Sequence, residues 1–202
     1  LNDVQHDFLN LLNEKIELHR QGKLLHLRFL VLKGRQQGFT SVITAYQLAN
    51  TLIKKNFTGF TLADTADNVR AIFQDKAKYV YNQLPDILKP TEKYNSKTEM
   101  FFENLNSSWR INVASEQVGR SRTINFFHGS EAAFWNCLIS STQSSLGEAL
   151  TKDSIQILES TANGFNEFKD LWDSGEWINC FYEWWRTKEY QDSFESQDIK
   201  NK

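Results

Sequence analysis

The stretch HLRFLVLKGRQQGFTS, residues 26–41, decides how the chain folds, because an apolar run passes directly into a short polar loop with two glycines. Residues 26–33 are rich in Leu, Phe and Val and predict a buried strand. Residues 41–55 have apolar side chains at helical spacing and predict a helix. A strand, a glycine-containing loop, a hydroxyl residue and a helix, in this order, form the layout of a phosphate-binding loop, since loop N–H groups and the helix N-terminus attract anions.

The loop departs from the standard GxxxxGK[ST] pattern of such sites. Gly38-Phe39-Thr40 stands where Gly-Lys-Thr is expected, and Lys33 takes the place of the first Gly. Because phosphates need a nearby cation, Lys33 or Arg35 would have to reach over the loop in place of the missing lysine. The sequence does not choose between these two cations, and an ordinary β–α turn is the alternative to a phosphate site.

The rest of the chain continues the alternation of strands and helices. Further strands are predicted at residues 58–63, 109–114, 123–128, 154–159 and 177–182, and further helices at 66–84 and 165–172. Residues 89–102 are polar and irregular and predict a surface excursion. The pattern predicts an α/β fold with about six strands, in a mostly parallel sheet with helices on both faces. Ligands of such sheets bind beyond the carboxyl ends of the strands.

An acidic residue follows one of the apolar strands at that edge. Residues 123–128 lead into Gly129, Ser130 and Glu131, which is the layout of a Walker B element, where Glu131 would polarise the water that attacks the γ-phosphate. An Asp normally precedes this Glu and holds Mg²⁺, whereas the neutral Ser130 precedes it here. The alternative is that Glu131 stabilises the N-terminal dipole of a helix.

Two further polar segments flank the predicted strands. Small polar residues at 160–164, Ser-Thr-Ala-Asn-Gly, follow the strand at 154–159 and suit either a sensor of the γ-phosphate or a capping turn. Arg120 and Arg122 precede the strand at 123–128. This pair could steady phosphate charge in a neighbouring subunit or contact DNA phosphates, and a solvated loop is the alternative.

Composition limits the possible classes of protein. The chain has 202 residues, of which 40% are hydrophobic and 24% charged, so we expect one domain or at most two small ones and exclude wholesale disorder. The net charge of −2 excludes an overall basic nucleic-acid binder, although a local basic surface remains open. Residues 1–150 carry 17 basic and 14 acidic side chains, and residues 151–202 carry 6 and 11. The best local basic positions, which a solvated helix face also explains, are Lys54, Lys55, Lys76 and Lys78.

The cysteines and the hydropathy give the expected compartment. Cys137 and Cys180 are too few for a disulfide framework or a four-cysteine zinc site, so we expect both to be reduced and buried. No apolar run approaches the roughly 20 residues that cross a bilayer. We therefore expect a soluble protein of a reducing compartment, without a membrane partner.

Four segments, taken in order, resemble the ATPase domain of the large terminase subunit of tailed bacteriophages. They are KGRQQGFTS, GRSRTINFFHGSEAAFW, ILESTANGFNEF and FYEWWRTKEY, and they span roughly residues 26–190. The resemblance implies a three-layer P-loop NTPase sheet of the ASCE type. It also implies that ATP hydrolysis, with Mg²⁺, drives viral double-stranded DNA into a preformed capsid. The implied partners are the DNA, the portal protein and the small terminase subunit, with a homo-oligomeric ring on the portal, in the cytoplasm of the bacterial host of a phage or prophage.

The resemblance also assigns roles to residues. Glu131 would be the catalytic carboxylate, and Arg120 or Arg122 the arginine that acts on a neighbouring subunit. ATP binding would involve Gln5, Lys33, Gly34, Arg35, Gln36, Gln37, Gly38, Phe39, Thr40 and Ser41. Mg²⁺ would be held by Thr40, Ser130 and Glu131, and coupling of the γ-phosphate to movement would use Ser160, Thr161 and Asn163. Gln5 stands where the family often places a glutamine that reads the adenine, although an amphipathic first helix is the alternative.

The domain limits follow from the same comparison. Residues 1–190 are expected to form the ATPase domain, and residues 191–202 a C-terminal linker. Large terminases also carry an RNase H-like nuclease, for which this linker is too short, so no nuclease activity is expected from this chain. Two alternatives remain: another P-loop nucleic-acid motor such as a helicase, and a decayed, non-catalytic prophage assembly module.

Overall fold

The computed structural model describes residues 1–93, 96–118 and 123–187. Its strands are β1 (Leu27–Lys33), β2 (Thr58–Ala63), β3 (Glu99–Phe102), β4 (Ser107–Val113), β5 (Ile124–Ser130), β6 (Leu150–Ser160) and β7 (Ile178–Tyr182). They form one sheet in the order β3-β4-β2-β5-β6-β1-β7. Every neighbouring pair is parallel except β3 and β4. Arg120, Arg122 and the predicted linker 191–202 lie outside the described residues.

Helices connect these strands. They are α1 (Asp3–Arg20), α2 (Phe39–Ile53), α3 (Ala66–Arg70), α4 (Tyr79–Gln83), α5 (Ile139–Leu146) and α6 (Glu167–Ser174). A π-helical stretch, Ala71–Lys78, joins α3 to α4, so the helix predicted at 66–84 is one helical segment with a π-helical centre. Every helix of the described chain is too short or too polar to cross a bilayer.

The structure corrects two details of the predicted elements. The segment predicted to be irregular, residues 89–102, ends in β3, which pairs antiparallel with β4 at the edge of the sheet. Met100 and Phe102 of β3 are buried, but four residues are too few for the alternation to stand out in the sequence. Helix α6 begins two residues later than predicted, because the Asn166 side chain accepts a hydrogen bond from Phe168 N and caps the helix there.

Both faces of the sheet are covered, which confirms the three-layer architecture. Phe29 and Val31 of β1 belong to a core cluster with α1 and α2, whereas Leu30 belongs to a cluster on the opposite face with α5 and α6. A third cluster packs β4 against α2 and the π-helical stretch, where the rings of Phe73 and Trp109 stack with centroids 5.5 Å apart. The alternation along the strands therefore places helices on both sides.

The cysteines only partly agree with the sequence expectation. Both thiols are free, and Cys180 is buried while Cys137 is partly exposed. Burial raises the pKa of the Cys180 thiol to about 12. Cys180 therefore behaves as a small apolar side chain of the core.

The position of β6, the strand predicted at residues 154–159, determines where the functional segments meet. β6 lies between β1, which precedes the loop, and β5, which precedes Glu131. Because the three strands are parallel, Lys33, Ser130 and Ser160 reach the same edge of the sheet. This arrangement confirms the expected ASCE-type sheet.

Phe8 is expected to contribute most to the packing of helix α1 against the sheet. Phe8 is fully buried and its ring contacts those of Phe29, Phe39 and Tyr182. The substitution Phe8→Ala should lower the free energy of unfolding by about 3–5 kcal/mol, because it removes buried apolar area and leaves a cavity. Urea denaturation measures the loss. The matched control is Phe165→Ala at a side chain that is 95% exposed, and an equal loss in both variants would contradict the assigned packing.

Candidate functional site

The loop between β1 and α2, residues 34–38, turns through two residues with positive φ. Gly38 has a φ of 75° and Gln36 a φ of 58°, in the left-handed region that glycine enters at little cost. A Cβ atom on Gly38 would lie 2.3 Å from Gln5 Nε2, so a larger residue would displace the end of the Gln5 side chain from the loop. Helix α2 begins directly after the loop, and its free N–H groups can receive an anion.

Two glutamine side chains brace this loop. Gln37 is buried, its Oε1 accepts a hydrogen bond from Gly34 N at 2.9 Å, and its Nε2 donates to a backbone oxygen after β7 at 2.9 Å. Gln5 Nε2 donates to the backbone oxygens of Gln37 and Gly38, both at 3.1 Å. Both side chains are therefore engaged with the loop itself, and their contact with a nucleotide stays a prediction.

The first residues of α2 have different surroundings. Phe39 is buried, with its ring centroid 4.7 Å from that of Tyr182, so it serves the core. Ser41 Oγ accepts a hydrogen bond from Lys76 Nζ at 2.9 Å. Thr40 Oγ1 donates to Glu159 Oε1 at 2.7 Å. Of these three predicted nucleotide contacts, Thr40 is the one that the structure joins to the strand ends.

Lys33 is the cation that lies among the strand ends. Its Nζ is 2.8 Å from Glu131 Oε1 and 3.1 Å from Glu159 Oε2, and its side chain is 6% exposed. Burial by itself lowers the pKa of Lys33, but the charges of Glu159 and Glu131 outweigh burial and raise the pKa above its usual value. Arg35 is exposed in the loop. The structure therefore places Lys33, of the two cations left open by the sequence, next to Glu131.

Glu131 joins the loop to the segment after β6. Its Oε2 accepts a hydrogen bond from Thr161 N at 3.2 Å, and Ser160 Oγ lies 3.4 Å from the same oxygen. The backbone of Glu131 has a φ of 49°, which costs a non-glycine residue about 1 kcal/mol. Backbone strain at a residue whose side chain contacts two other strand ends favours a functional role for Glu131.

The segment predicted to couple phosphate to movement contacts the turn that follows Glu131. Ser160 Oγ accepts a hydrogen bond from Ala133 N at 3.2 Å, and Asn163 Nδ2 donates to Ala133 O at 2.8 Å. The cap of α6 is Asn166. Residues 160–164 therefore do not cap α6, because Asn166 does so. Ser160 and Asn163 instead bond to the turn that follows Glu131.

Glu159 is a residue of the site that the sequence analysis did not single out. It is fully buried, and its Oε1 accepts hydrogen bonds from Thr40 Oγ1 at 2.7 Å and Ser130 Oγ at 2.8 Å. Burial by itself raises the pKa of Glu159, but the interaction with His128, whose Nε2 lies 3.5 Å from Oε1, and the charge of Lys33 lower the pKa to about 2. The carboxylate is therefore ionised at neutral pH.

A signal for Glu159 is present in the sequence. Ile155, Ile157 and Glu159 alternate along β6, and both isoleucines belong to the core between the sheet and α2. An acid at the next position of this face must be buried, and a buried acid needs charged or hydrogen-bonding partners. His128 is likewise fully buried on β5, but its place beside Glu159 depends on the order of the strands.

The oxygen atoms at this edge suit a Mg²⁺ ion that is bound together with a nucleotide. The hydroxyls of Thr40 and Ser130 and the carboxylates of Glu131 and Glu159 are hard oxygen donors. Among the described residues, no three His, Cys, Asp or Glu side chains are grouped as a metal cage. Mg²⁺ in nucleotide sites is held by one or two protein carboxylates together with phosphates and water, so the donors present fit the ion.

The four lysines considered for DNA contact do not share one surface. Lys78 is buried and its Nζ lies 2.6 Å from Glu92 Oε1. Lys76 bonds to Ser41 at the start of α2. Lys54 and Lys55 are exposed just beyond the C-terminal end of α2, about 20 Å from Ser41 along the helix at 1.5 Å per residue. A common basic face is therefore not formed by these residues.

Comparison with known proteins gives a fold but no relative. No protein-family model matches the sequence, and no curated protein matches it closely enough to count as a relative. The chain is similar in structure to the large terminase ATPase domain of Thermus phage P74-26, with a TM-score of 0.58 and 16% identity over 81% of this chain and 78% of the other.

Two longer large terminases are similar as well. The protein of bacteriophage HK97 gives a TM-score of 0.61 with 13% identity over 98% of this chain and 42% of the other. That of a thermophilic bacteriophage gives 0.55 with 9% identity over 82% and 43%. The chain therefore has the fold of large terminase ATPase domains, as the sequence motifs predicted, and spans less than half of these two proteins.

The assignment of Lys33 as the buried cation can be tested by its removal. Lys33→Met would leave the carboxylates of Glu131 and Glu159 without their cation, so we expect the free energy of unfolding at pH 7 to fall by about 3–5 kcal/mol. Thermal or urea denaturation measures it. The control is Lys55→Met, the same change at an exposed lysine beyond the end of α2, which should cost less than about 0.5 kcal/mol. Equal losses would show that Lys33 does not hold the cluster.

Proposed function

We propose that the chain is the ATP-hydrolysing motor domain of a DNA-packaging terminase and that it works with Mg²⁺. The observation that carries the proposal is a continuous set of polar contacts between the predicted motifs. Lys33 and Thr40, on either side of the loop, both contact Glu159, Lys33 contacts Glu131, and Glu131 contacts Thr161. Groups from three of the four motif segments thus meet where a nucleotide would bind, beyond the strand ends.

Each group has a role in phosphoryl transfer to water. The N-terminus of α2 receives phosphate oxygens, and Lys33 places a positive charge beside them. The Thr40 hydroxyl, in the first turn of α2, would hold Mg²⁺, and the ion would supply positive charge to the phosphates. Glu131 is partly exposed, with 26% of its side chain accessible, so it can reach a water molecule and orient it for attack. Thr161, bonded to Glu131, would report the state of the γ-phosphate to α6.

The proposal extends to the partners that the motifs imply. Within it, hydrolysis moves double-stranded DNA into a capsid, the chain assembles as a ring on the portal protein with the small terminase subunit, and it does so in the cytoplasm of the bacterial host. The similar structures support this extension through their fold. Arg120 or Arg122 would act on the neighbouring subunit in that ring.

Hydrolysis should depend on the Glu131 carboxylate. We expect Glu131→Gln to reduce the single-turnover rate of ATP hydrolysis by at least 100-fold, because an amide cannot accept a proton from water. Nucleotide binding should persist in this variant, so that the lost rate reports the chemical step. The rate is measured with enzyme in excess over radiolabelled ATP in MgCl₂, at a high protein concentration that allows neighbouring subunits to meet.

The matched control is Glu103→Gln, at an exposed acid that pairs with Lys93 on the surface. It should hydrolyse ATP at the parent rate. A parent rate in Glu131→Gln as well would remove Glu131 from the mechanism. Absence of both binding and hydrolysis in the parent protein would instead favour a non-catalytic assembly module.

A further inference from the structure

The residue before Glu131 leaves a chemical gap in the proposed site. The corresponding position of a P-loop NTPase supplies a carboxylate that holds Mg²⁺, but Ser130 is neutral. Its hydroxyl is buried and donates its hydrogen to Glu159 Oε1 at 2.8 Å. The nearest negative charge at this place therefore comes from the neighbouring strand.

We propose that Glu159 supplies this missing carboxylate and acts as the positioning residue for the metal-binding hydroxyl of Thr40; the inference rests on the proposed function. Glu159 and Ser130 are direct neighbours in the register of β6 and β5. Glu159 is also the register partner of Val31 on β1, two residues before Lys33. Glu159 thus lies between the end of β1, which leads into the phosphate loop, and the end of β5, where a Walker B acid normally stands.

The contact with Thr40 gives Glu159 a definite action. An ionised carboxylate only accepts hydrogen bonds, so Thr40 Oγ1 must donate its single hydrogen to Glu159 Oε1. The lone pairs of that hydroxyl are then directed away from Glu159. A hydroxyl fixed in this way presents lone pairs to a cation without having to rotate first.

The charge of the cluster also favours a cation. Lys33 contributes one positive charge, while Glu131 and Glu159 contribute two negative charges, so the acids of this trio outnumber its cation by one. If Glu159 served only to neutralise Lys33, Glu131 at 2.8 Å would already suffice. Glu159 Oε2 lies 3.1 Å from Lys33 Nζ, yet among the described residues no donor is aligned for a hydrogen bond to it. Because Oε2 is buried against Lys33, the proposed action of Glu159 on the metal runs through Oε1 and the Thr40 hydroxyl.

The test is the effect of Mg²⁺ on nucleotide affinity, measured by calorimetry with a nonhydrolysable ATP analogue in MgCl₂ and in EDTA. In the parent, affinity should be higher in MgCl₂. In Glu159→Gln the ratio of the affinity in MgCl₂ to that in EDTA should be at least 10-fold smaller than in the parent, the size typical for groups that orient metal ligands. The affinity in EDTA should stay within about threefold of the parent. The control, Glu92→Gln, alters a largely buried acid paired with Lys78 away from the site and should keep the enhancement.

A double variant moves the carboxylate back across the strands. Ser130→Asp combined with Glu159→Gln places the acid on the neighbouring strand end and should restore most of the enhancement. Circular dichroism checks that each variant is folded. If Glu159→Gln does not fold, the double variant decides: an enhancement supports the proposal, and a folded protein without one overturns it. A double variant that fails to fold also overturns the exchange, because the acid is then needed at its own place for the fold.

The outcomes separate this inference from the proposed function. If the parent binds no nucleotide, or binds it equally with and without Mg²⁺, the proposed function fails and the inference with it. If the parent shows the enhancement and Glu159→Gln retains it in full, the role of Glu159 alone is overturned.

Discussion

The ion pairs of Lys33 hold the ends of three strands together. Lys33 ends β1, and its two acidic partners stand at the ends of β5 and β6. Because a one-residue slip of a strand turns each side chain to the other face, the register of β6 fixes whether Glu159 points at Lys33 or away from it. The sheet register is therefore constrained by a buried charge cluster as well as by apolar packing, and an unpaired charge at this depth would be costly.

The same edge depends on helix α1, which precedes the sheet in sequence. Phe8 anchors α1 in the core, and Gln5, one turn earlier, bonds to the backbone of Gln37 and Gly38. The first turn of α1 is fixed in turn by a capping box in which Asn2 and Gln5 satisfy each other's backbone N–H groups. The loop is thus braced from one side by a helix and from the other by Gln37, which bonds to the chain after β7. A loop held in this way needs little reorganisation to receive phosphate.

The sequence was sufficient for the architecture and for the strand ends, because those follow from local patterns. Apolar strands, helical spacing and polar segments after the strands all lie within 10 to 20 residues. Contacts between segments could not be read in the same way. The choice of Lys33 over Arg35 depends on Glu131, which lies 98 residues further along, and on the order of strands in the sheet. The short edge strand β3 and the π-helical stretch depend on the neighbours that they pack against, and His128 shows its place only once β5 and β6 are adjacent.

The proposed role of Glu159 would explain why a motif looks incomplete although another strand supplies its carboxylate. A pattern search reads consecutive residues, whereas a site is made of atoms that meet in space. The carboxylate beside Ser130 comes from the next strand, 29 residues away, and accepts a hydrogen bond from the Ser130 hydroxyl.

The contacts of Lys33 also suggest how a bound phosphate could be sensed. A ligand shifts a protein only through contacts that differ between its states. A phosphate in the loop would compete with Glu131 for Lys33, because both are anions and the lysine carries one charge. Glu131 is bonded through its other oxygen to Thr161, at the start of the segment that leads to α6. A change in charge at the loop would therefore reach that segment through two direct contacts, Lys33 to Glu131 and Glu131 to Thr161, without a longer path through the core.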